Sequence, residues 1–303
     1  MVVACATTTA FFNGQRFYAK EEIILIMSKS ILDDVGNLLN DVKKKKPLVH
    51  SITNYVTATD CANIILAIGG SPTMADFSKE VEGVASIASS VVLNMGIIND
   101  DMVKAMLIAG KKANERNIPV IYDPVGAGVA PYRNAVAERL MKEVKMDIIR
   151  GNISEIKFIS GISSCTKGVD ASQSDMDMSN EDKVKVAKNL AKKLKCTVAI
   201  TGVEDVISDG QRSVILCNGD KMLASVTGTG CMTSALCGAY AGSGNDNFIA
   251  AIGAVLSMGI SGEISAKKNR NIGLGSFHVG IMDAISNLSY ETFKQEGKIK
   301  IVE

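Results

Sequence analysis

From Pro47 onward, short β-branched segments alternate with longer amphipathic ones, and this alternation limits the folds open to the chain more than any other feature. It is the pattern of repeated βαβ units, in which parallel strands are joined by helices that cover both faces of a sheet. The runs 48–52, 91–95, 119–123, 147–150 and 197–201 are expected as strands. A hairpin is expected from 214–217 and 222–226, turned at Asn218-Gly219. Helical periods fall near 54–68, 78–89, 99–117, 133–144, 181–194, 231–242, 247–266 and 276–288. Aromatic residues are only 5% and tryptophan is absent, which suits a parallel sheet under close-packed helices. The expected fold is therefore α/β: a single-domain three-layer sandwich with a mostly parallel central sheet flanked by helices.

Residues 1–26 show neither a helical nor a strand period and are expected to lie outside that fold, as a non-native or disordered N-terminal extension. They also lack the basic start and apolar core of a secretory signal. Met27 is the expected translation start, because Lys20-Glu21-Glu22 would be encoded by a purine-rich stretch like those preceding bacterial starts. Ile31, Leu32, Val35, Leu38, Leu39 and Val42 then follow in helical period, and the domain is expected to span 27–303. The polar segment 170–182 reads as a surface loop.

Electrostatics exclude several classes of function. The chain carries 33 Lys and Arg against 32 Asp and Glu, so there is no net field to attract nucleic acid or a membrane surface. No apolar run of membrane-spanning length is expected. Seven cysteines, an odd set without a CxxC pair, and two histidines argue against a zinc or disulfide framework and for small buried thiols in a reducing cytoplasm.

Ligands of parallel α/β sheets sit beyond the carboxyl ends of the strands, so the residues there are the ones to collect. In order they are Ser51, Thr53 and Asn54; Asn94 and Gly96; Asp123 and the glycine-rich 124–128; Arg150, Asn152 and Glu155; and Thr201-Gly202. Asp123 and Glu155 are oxygen ligands suited to magnesium, which takes one or two carboxylates and keeps its other positions for water and phosphate. Their plain structural readings are a turn cap for Asp123 and a solvated helix residue for Glu155. Arg150 can clamp phosphate oxygens, and Thr201 can bond a nucleotide from its strand end.

The last member is the loop Gly228-Thr229-Gly230-Cys231 at the start of a small-residue helix. Glycines there let the backbone present N–H groups at a positive dipole end, the arrangement that binds phosphate, although a tight turn packed on the sheet would read the same way. A helix N-terminus is expected to lower the pKa of Cys231, fitting it to act as nucleophile or as base toward a hydroxyl. Neither a Walker P-loop nor an early GxGxxG is present.

The late Gly-x-Gly-Cys helix start and the central Asn-x-x-Glu resemble the ribokinase-like superfamily of small-molecule kinases. Within it, the chain closely resembles the hydroxyethylthiazole kinases. The resemblance rests on Pro47–Asn54, Ser71–Ala75, Val92–Gly96, Asp123–Gly128, Ile149–Asn152, Lys167–Asp170 and Gly228–Cys231, which run in family order over most of the chain. It implies phosphorylation of the hydroxyl of 4-methyl-5-(2-hydroxyethyl)thiazole by ATP with Mg2+, in thiamine salvage, by a cytoplasmic homotrimer with active sites at subunit interfaces. It implies that Met74, Gly228 and Asn54 meet the substrate, that Arg150, Thr201 and Asn152 bind ATP, and that Asp123 and Glu155 lie around the metal, with Asn152 beside them. Cys231 stands where most ribokinase-like enzymes resemble one another in having an aspartate base. Alternatives are a hydroxymethylpyrimidine kinase, an ATP-dependent repair enzyme for a hydrated nicotinamide nucleotide, or a non-catalytic thiazole or nucleotide sensor. His50 reads either as a polar wall of the pocket or as a structural histidine, and His278 has no assigned role.

Overall fold

A computed structural model describes residues 10–12, 15–17, 20–162 and 177–302. The chain opens with a small antiparallel pair, β1 (Ala10–Phe12) and β2 (Gln15–Phe17), followed by α1 (Lys20–Lys45). Helix α1 runs through Met27 without a break, and among its residues whose burial is described the buried hydrophobic ones, Leu32, Val35, Leu38, Leu39 and Val42, lie C-terminal to that point.

The alternation then appears as β3 (Leu48–Ile52), α2 (Ala58–Ile68), β4 (Ser71–Thr73), α3 (Val81–Ile87), β5 (Ser90–Asn94) and α4 (Asp100–Glu115). It continues as β6 (Val120–Asp123), α5 (Pro131–Glu143), β7 (Ile148–Gly151), α6 (Ile153–Ser160), α7 (Asn180–Leu194) and β8 (Thr197–Ile200). After these come β9 (Asp205–Ser208), β10 (Ser213–Leu216), α8 (Thr229–Ala241), α9 (Asn247–Asn269), α10 (Leu274–Ser286), α11 (Tyr290–Glu296) and β11 (Ile299–Val302). Among the described residues, nine strands form one sheet in the order β11-β10-β9-β8-β7-β6-β5-β3-β4. Pairing is parallel from β4 to β8 and antiparallel from β8 to β11.

Alternate strand residues feed two separate cores, as the two-residue period of a strand requires. Val49, Val92, Ile121, Ile148, Ala199 and Ile207 pack under α1, α2, α8, α9 and α10. Val91, Leu93, Tyr122, Ile149, Val198 and Ile200 pack under α3, α4, α5, α6 and α7. The three-layer α/β expectation holds. Helix α9 is long and apolar enough to cross a membrane, which corrects the expectation that no run reaches that length. Its apolar stretch is 89% buried within the fold, as befits a core helix.

The expected hairpin at Asn218-Gly219 does not form. Residues Lys221–Ser225 make a 3₁₀ turn whose cap, Asp220, accepts from Met222 N at 2.9 Å. Asn218 is held instead by the C-terminal segment: its Oδ1 accepts from Lys298 N at 2.7 Å and its Nδ2 donates to Glu296 O at 2.8 Å. Strand β10 pairs with β9 on one side and with β11 on the other. The motif Lys167–Asp170 and most of the polar segment from 170 lie outside the described residues, as do Cys5 and Cys165.

Helix α8 lies directly on the sheet because Gly238 permits it. A Cβ there would stand 2.7 Å from Val92 Cγ2 and 2.8 Å from Val49 Cγ1, and Ser90 Oγ donates to its carbonyl at 2.7 Å. Gly238→Ala should therefore destabilise the protein by about 1–3 kcal/mol through overpacking, outweighing the gain of up to about 1 kcal/mol in helix propensity. A lower urea midpoint with unchanged slope would show it.

Candidate active site

Asn94, Asp123, Arg150 and Thr201 sit at or just past the carboxyl ends of β5, β6, β7 and β8, in the alternation that faces α8. The register pairs Asn94 with Asp123, then Tyr122 with Ile149, then Arg150 with Ala199. The parallel register thus gathers four polar side chains from distant parts of the sequence at one edge, where α8 begins.

Asp123 is fully buried. Its Oδ2 accepts from Asn94 Nδ2 at 2.9 Å and Ser234 Oγ at 2.7 Å, and lies 3.5 Å from Arg150 Nη1. Its Oδ1, equally buried, has no protein partner. Burial raises the Asp123 pKa, against the pull of Arg150, Ser234 and Asn94. Arg150 Nη2 donates to Thr201 Oγ1 at 2.6 Å. Desolvation alone would lower the guanidinium's pKa, but Asp123 and Glu155 outweigh it and the net direction is up. Gly230 makes room for this arginine: a Cβ there would stand 2.6 Å from Arg150 Nη1.

Glu155 caps α6. Its Oε2 accepts from Asn152 N at 2.8 Å while Asn152 Oδ1 accepts from Glu155 N at 2.9 Å, a reciprocal capping box. Its Oε1 accepts from Gly126 N at 2.8 Å, which fastens the glycine-rich loop after β6. The plain structural alternative, a solvated helix residue, does not hold: Glu155 is buried, and burial, then the charge of Asp123, push its pKa up to about 7. Arg133, which no sequence argument singled out, holds the same loop by donating to Val125 O at 2.7 Å and to Met95 O.

Gly228 caps α8 with φ +89°, a left-handed conformation that favours glycine, and a Cβ would meet Thr57 Cγ2 at 2.8 Å. The first bond of this turn runs from Met232 N to Gly228 O at 2.8 Å. The N–H groups of Thr229, Gly230 and Cys231 therefore have no intrahelical acceptor. Cys231 Sγ receives Asn94 Nδ2 at 3.3 Å and Asn54 Nδ2 at 3.5 Å. The expected lowering of its pKa does not occur. Burial and then the charge of Asp123 raise it, and donors from Thr57 and Asn94 together with Arg150 only oppose that rise.

Hydrogen bonds and charge contacts thus join Asn54, Asn94, Asp123, Arg150, Thr201 and Cys231 into one cluster, with Asn152 and Glu155 beside it. Met74 stands apart, just beyond edge strand β4, and packs against the core that lies under α1, α2, α8, α9 and α10. Its segment is anchored by buried His50, whose Nε2 donates to Ala75 O at 2.8 Å and whose pKa burial lowers. His278 lies 3.4 Å from Asp60 on α2.

A magnesium site fits this cluster in one respect: Asp123 offers a buried, unpartnered oxygen. Two buried carboxylates, both raised by desolvation and Glu155 also by the charge of Asp123, would be relieved by a cation. Among the described residues no three His, Cys, Asp or Glu converge, so the remaining positions would fall to water and phosphate.

Taken together, a parallel sheet with polar strand ends, a buried Asp–Arg pair and an open helix N-terminus define a phosphoryl-transferring α/β enzyme of the ribokinase-like fold. The fold matches a pyridoxal kinase from Staphylococcus aureus in complex with ADP at TM-score 0.55 and 18% identity, over 72% of this chain and 88% of that one. The profile of the hydroxyethylthiazole kinase family matches residues 39–291. A hydroxyethylthiazole kinase of Clostridium botulinum (strain Eklund 17B) is 66% identical over 91% of this chain and 99% of its own length. The structure of a hydroxyethylthiazole kinase protein from Pyrococcus horikoshii superposes at TM-score 0.81 and 32% identity, over 89% of this chain and 99% of that one. The chain belongs to the hydroxyethylthiazole kinase family.

The raised pKa of Glu155 has a testable sign. The folded protein holds a proton here up to about pH 7, whereas the unfolded chain releases it near its ordinary value of 4.5. This group's contribution to stability is therefore present below pH 4.5 and is lost as pH rises to about 7. Asp123, Arg150 and Arg133 are the charges that face it. In metal-free protein, the difference in urea midpoint between Glu155→Gln and wild type should change across that window in favour of the variant. A pH-independent difference would contradict the assignment.

Proposed function

We propose that the chain transfers the γ-phosphoryl group of ATP to the hydroxyl of 4-methyl-5-(2-hydroxyethyl)thiazole, a salvage step toward thiamine. The observation that carries this reading is the single cluster of Asn54, Asn94, Asp123, Arg150, Thr201 and Cys231 at the open end of α8, in a chain of this family. The N–H groups of Thr229 to Cys231, with the Arg150 guanidinium over Gly230, are suited to hold the transferring phosphoryl oxygens. Thr201 steadies Arg150 and, with Asn152, lies on the ATP side. Asp123 through Oδ1, and Glu155 through lone pairs its two backbone donors leave over, would hold Mg2+, which neutralises phosphate charge when bound. Met74 and Asn54 face the thiazole in this reading, and the Gly228 backbone closes the pocket against Thr57.

Cys231, as the thiolate, takes the hydroxyl proton and is left as the thiol. Since its thiol is held above its ordinary pKa, proton removal contributes less than charge stabilisation, which dominates phosphoryl transfer. The catalytic assembly is proposed to be a homotrimer in the cytoplasm. Tyr55, Val56, Ile272, Leu274 and Val279 leave apolar surface exposed on and around the packed helices α2 and α10, where a second copy can cover it. The working domain is proposed to begin at Met27, so a chain starting there should keep its melting midpoint and turnover.

ADP release with ATP, Mg2+ and hydroxyethylthiazole, run beside hydroxymethylpyrimidine and a no-substrate control, tests the reading. Stimulation by the thiazole alone is expected, and stimulation by the pyrimidine instead, or by neither, would overturn it. EDTA should abolish turnover and added Mg2+ restore it. Cys231→Ser should keep turnover, with kcat lower by no more than about 10²-fold, the low end of what a general base supplies. Gly228→Val, strained by φ +89° and blocked by Thr57, should be inactive.

A further inference from the structure

We infer that Asn94 is a positioning residue for phosphoryl transfer, acting through Cys231; the inference rests on the kinase reading above. Its side-chain amide is buried and uses its whole hydrogen-bonding capacity. Oδ1 accepts from Gly96 N at 2.8 Å and from Asn54 Nδ2 at 3.0 Å. Nδ2 donates to Asp123 Oδ2 at 2.9 Å and to Cys231 Sγ at 3.3 Å. Amide orientation is normally inferred from such a network. Here the Gly96 N–H can only donate and an ionised Asp123 can only accept, so the amide has one orientation. One N–H of Asn94 therefore points at the sulfur.

The same amide governs the sulfur's second donor. Asn54 Nδ2 reaches Sγ at 3.5 Å while donating to Asn94 Oδ1, and Asn54 Oδ1 accepts from Thr57 N at 3.2 Å. Gly96 permits this close packing: a Cβ there would stand 2.4 Å from Asn54 Nδ2 and 2.9 Å from Asn94 Oδ1. Removing the Asn94 amide deletes one donor to Cys231 and loosens a second, Asn54, which Thr57 N still holds through Oδ1, while the Thr57 side chain remains as a third. Asp123 is less exposed to the loss, because it retains Ser234 Oγ at 2.7 Å and the Arg150 charge. With two N–H groups directed at Sγ, the sulfur is oriented as an acceptor; as the thiolate, its own proton having left to solvent, it takes the hydroxyl proton and becomes the thiol. Asn94 thus fixes the direction of the sulfur by geometry.

A double-mutant cycle tests this. Asn94→Ala should lower kcat by about 10- to 10²-fold while the KM values for thiazole and ATP stay within about threefold. In a Cys231→Ala background, the same substitution should cost less than about threefold more, because the sulfur it acts on is gone. Losses that multiply in the double variant, or a loss carried by KM, would overturn the assignment and leave Asn94 a structural residue. Should Asn94→Ala fail to fold, Asn94→Ser in the same cycle carries the same expectation. Wild-type thiazole-dependent ADP release is the control. Its absence would remove the kinase reading and this inference with it, whereas its presence with multiplying losses would remove the inference alone.

Discussion

A fully buried carboxylate, Asp123, is the constraint around which the rest of this site is arranged. An isolated charge in such a place is costly, so the fold must supply partners for it. Arg150 provides the opposite charge, and Asn94 and Ser234 provide hydrogen bonds, each from a different element. Those partners impose their own demands. The arginine needs Gly230 to be a glycine, because any side chain would strike the guanidinium. The serine needs α8 to lie flat on the sheet, which Gly238 permits. Two glycines and a parallel register can thus be traced to one acid and the helix beside it.

One carboxylate oxygen is left out of this accounting. Asp123 Oδ1 has no partner, while Oδ2 has three. Buried polar atoms are rarely left this way in a folded protein, and where they are, a ligand is the natural explanation. Glu155, raised to about 7 beside it, tells the same story in electrostatic terms. The site is assembled for a charge distribution that the chain alone does not complete, which fits the proposed binding of phosphate with a divalent cation.

Much of this was legible in the sequence. Parallel strands buried on both faces are continuous β-branched runs, so β3, β5, β6, β7 and β8 stood out, and residues at their ends were known to converge. The short edge strand β4 and the eight-residue helix α6 carried too few residues to show a period. Asn218-Gly219 misled because its turn chemistry was local, while β11, eighty residues later, took the place beside β10. Asn94 was collected with the other strand ends but given no role, since an asparagine acquires meaning only from its four partners. Cys231 misled in a different way. A helix N-terminus lowers a thiol pKa when solvent reaches it, and desolvation by the neighbouring strands reversed the sign here.

Transfer of phosphate to an alcohol, rather than to water, is the central claim, and phosphorus NMR of the reaction mixture tests it most directly. With ATP, Mg2+ and hydroxyethylthiazole, a phosphomonoester signal should grow as the γ-phosphate signal declines, split by the two protons of the adjacent methylene. ADP and inorganic phosphate with no phosphomonoester would contradict the account, because the cluster would then be activating water and not the substrate hydroxyl.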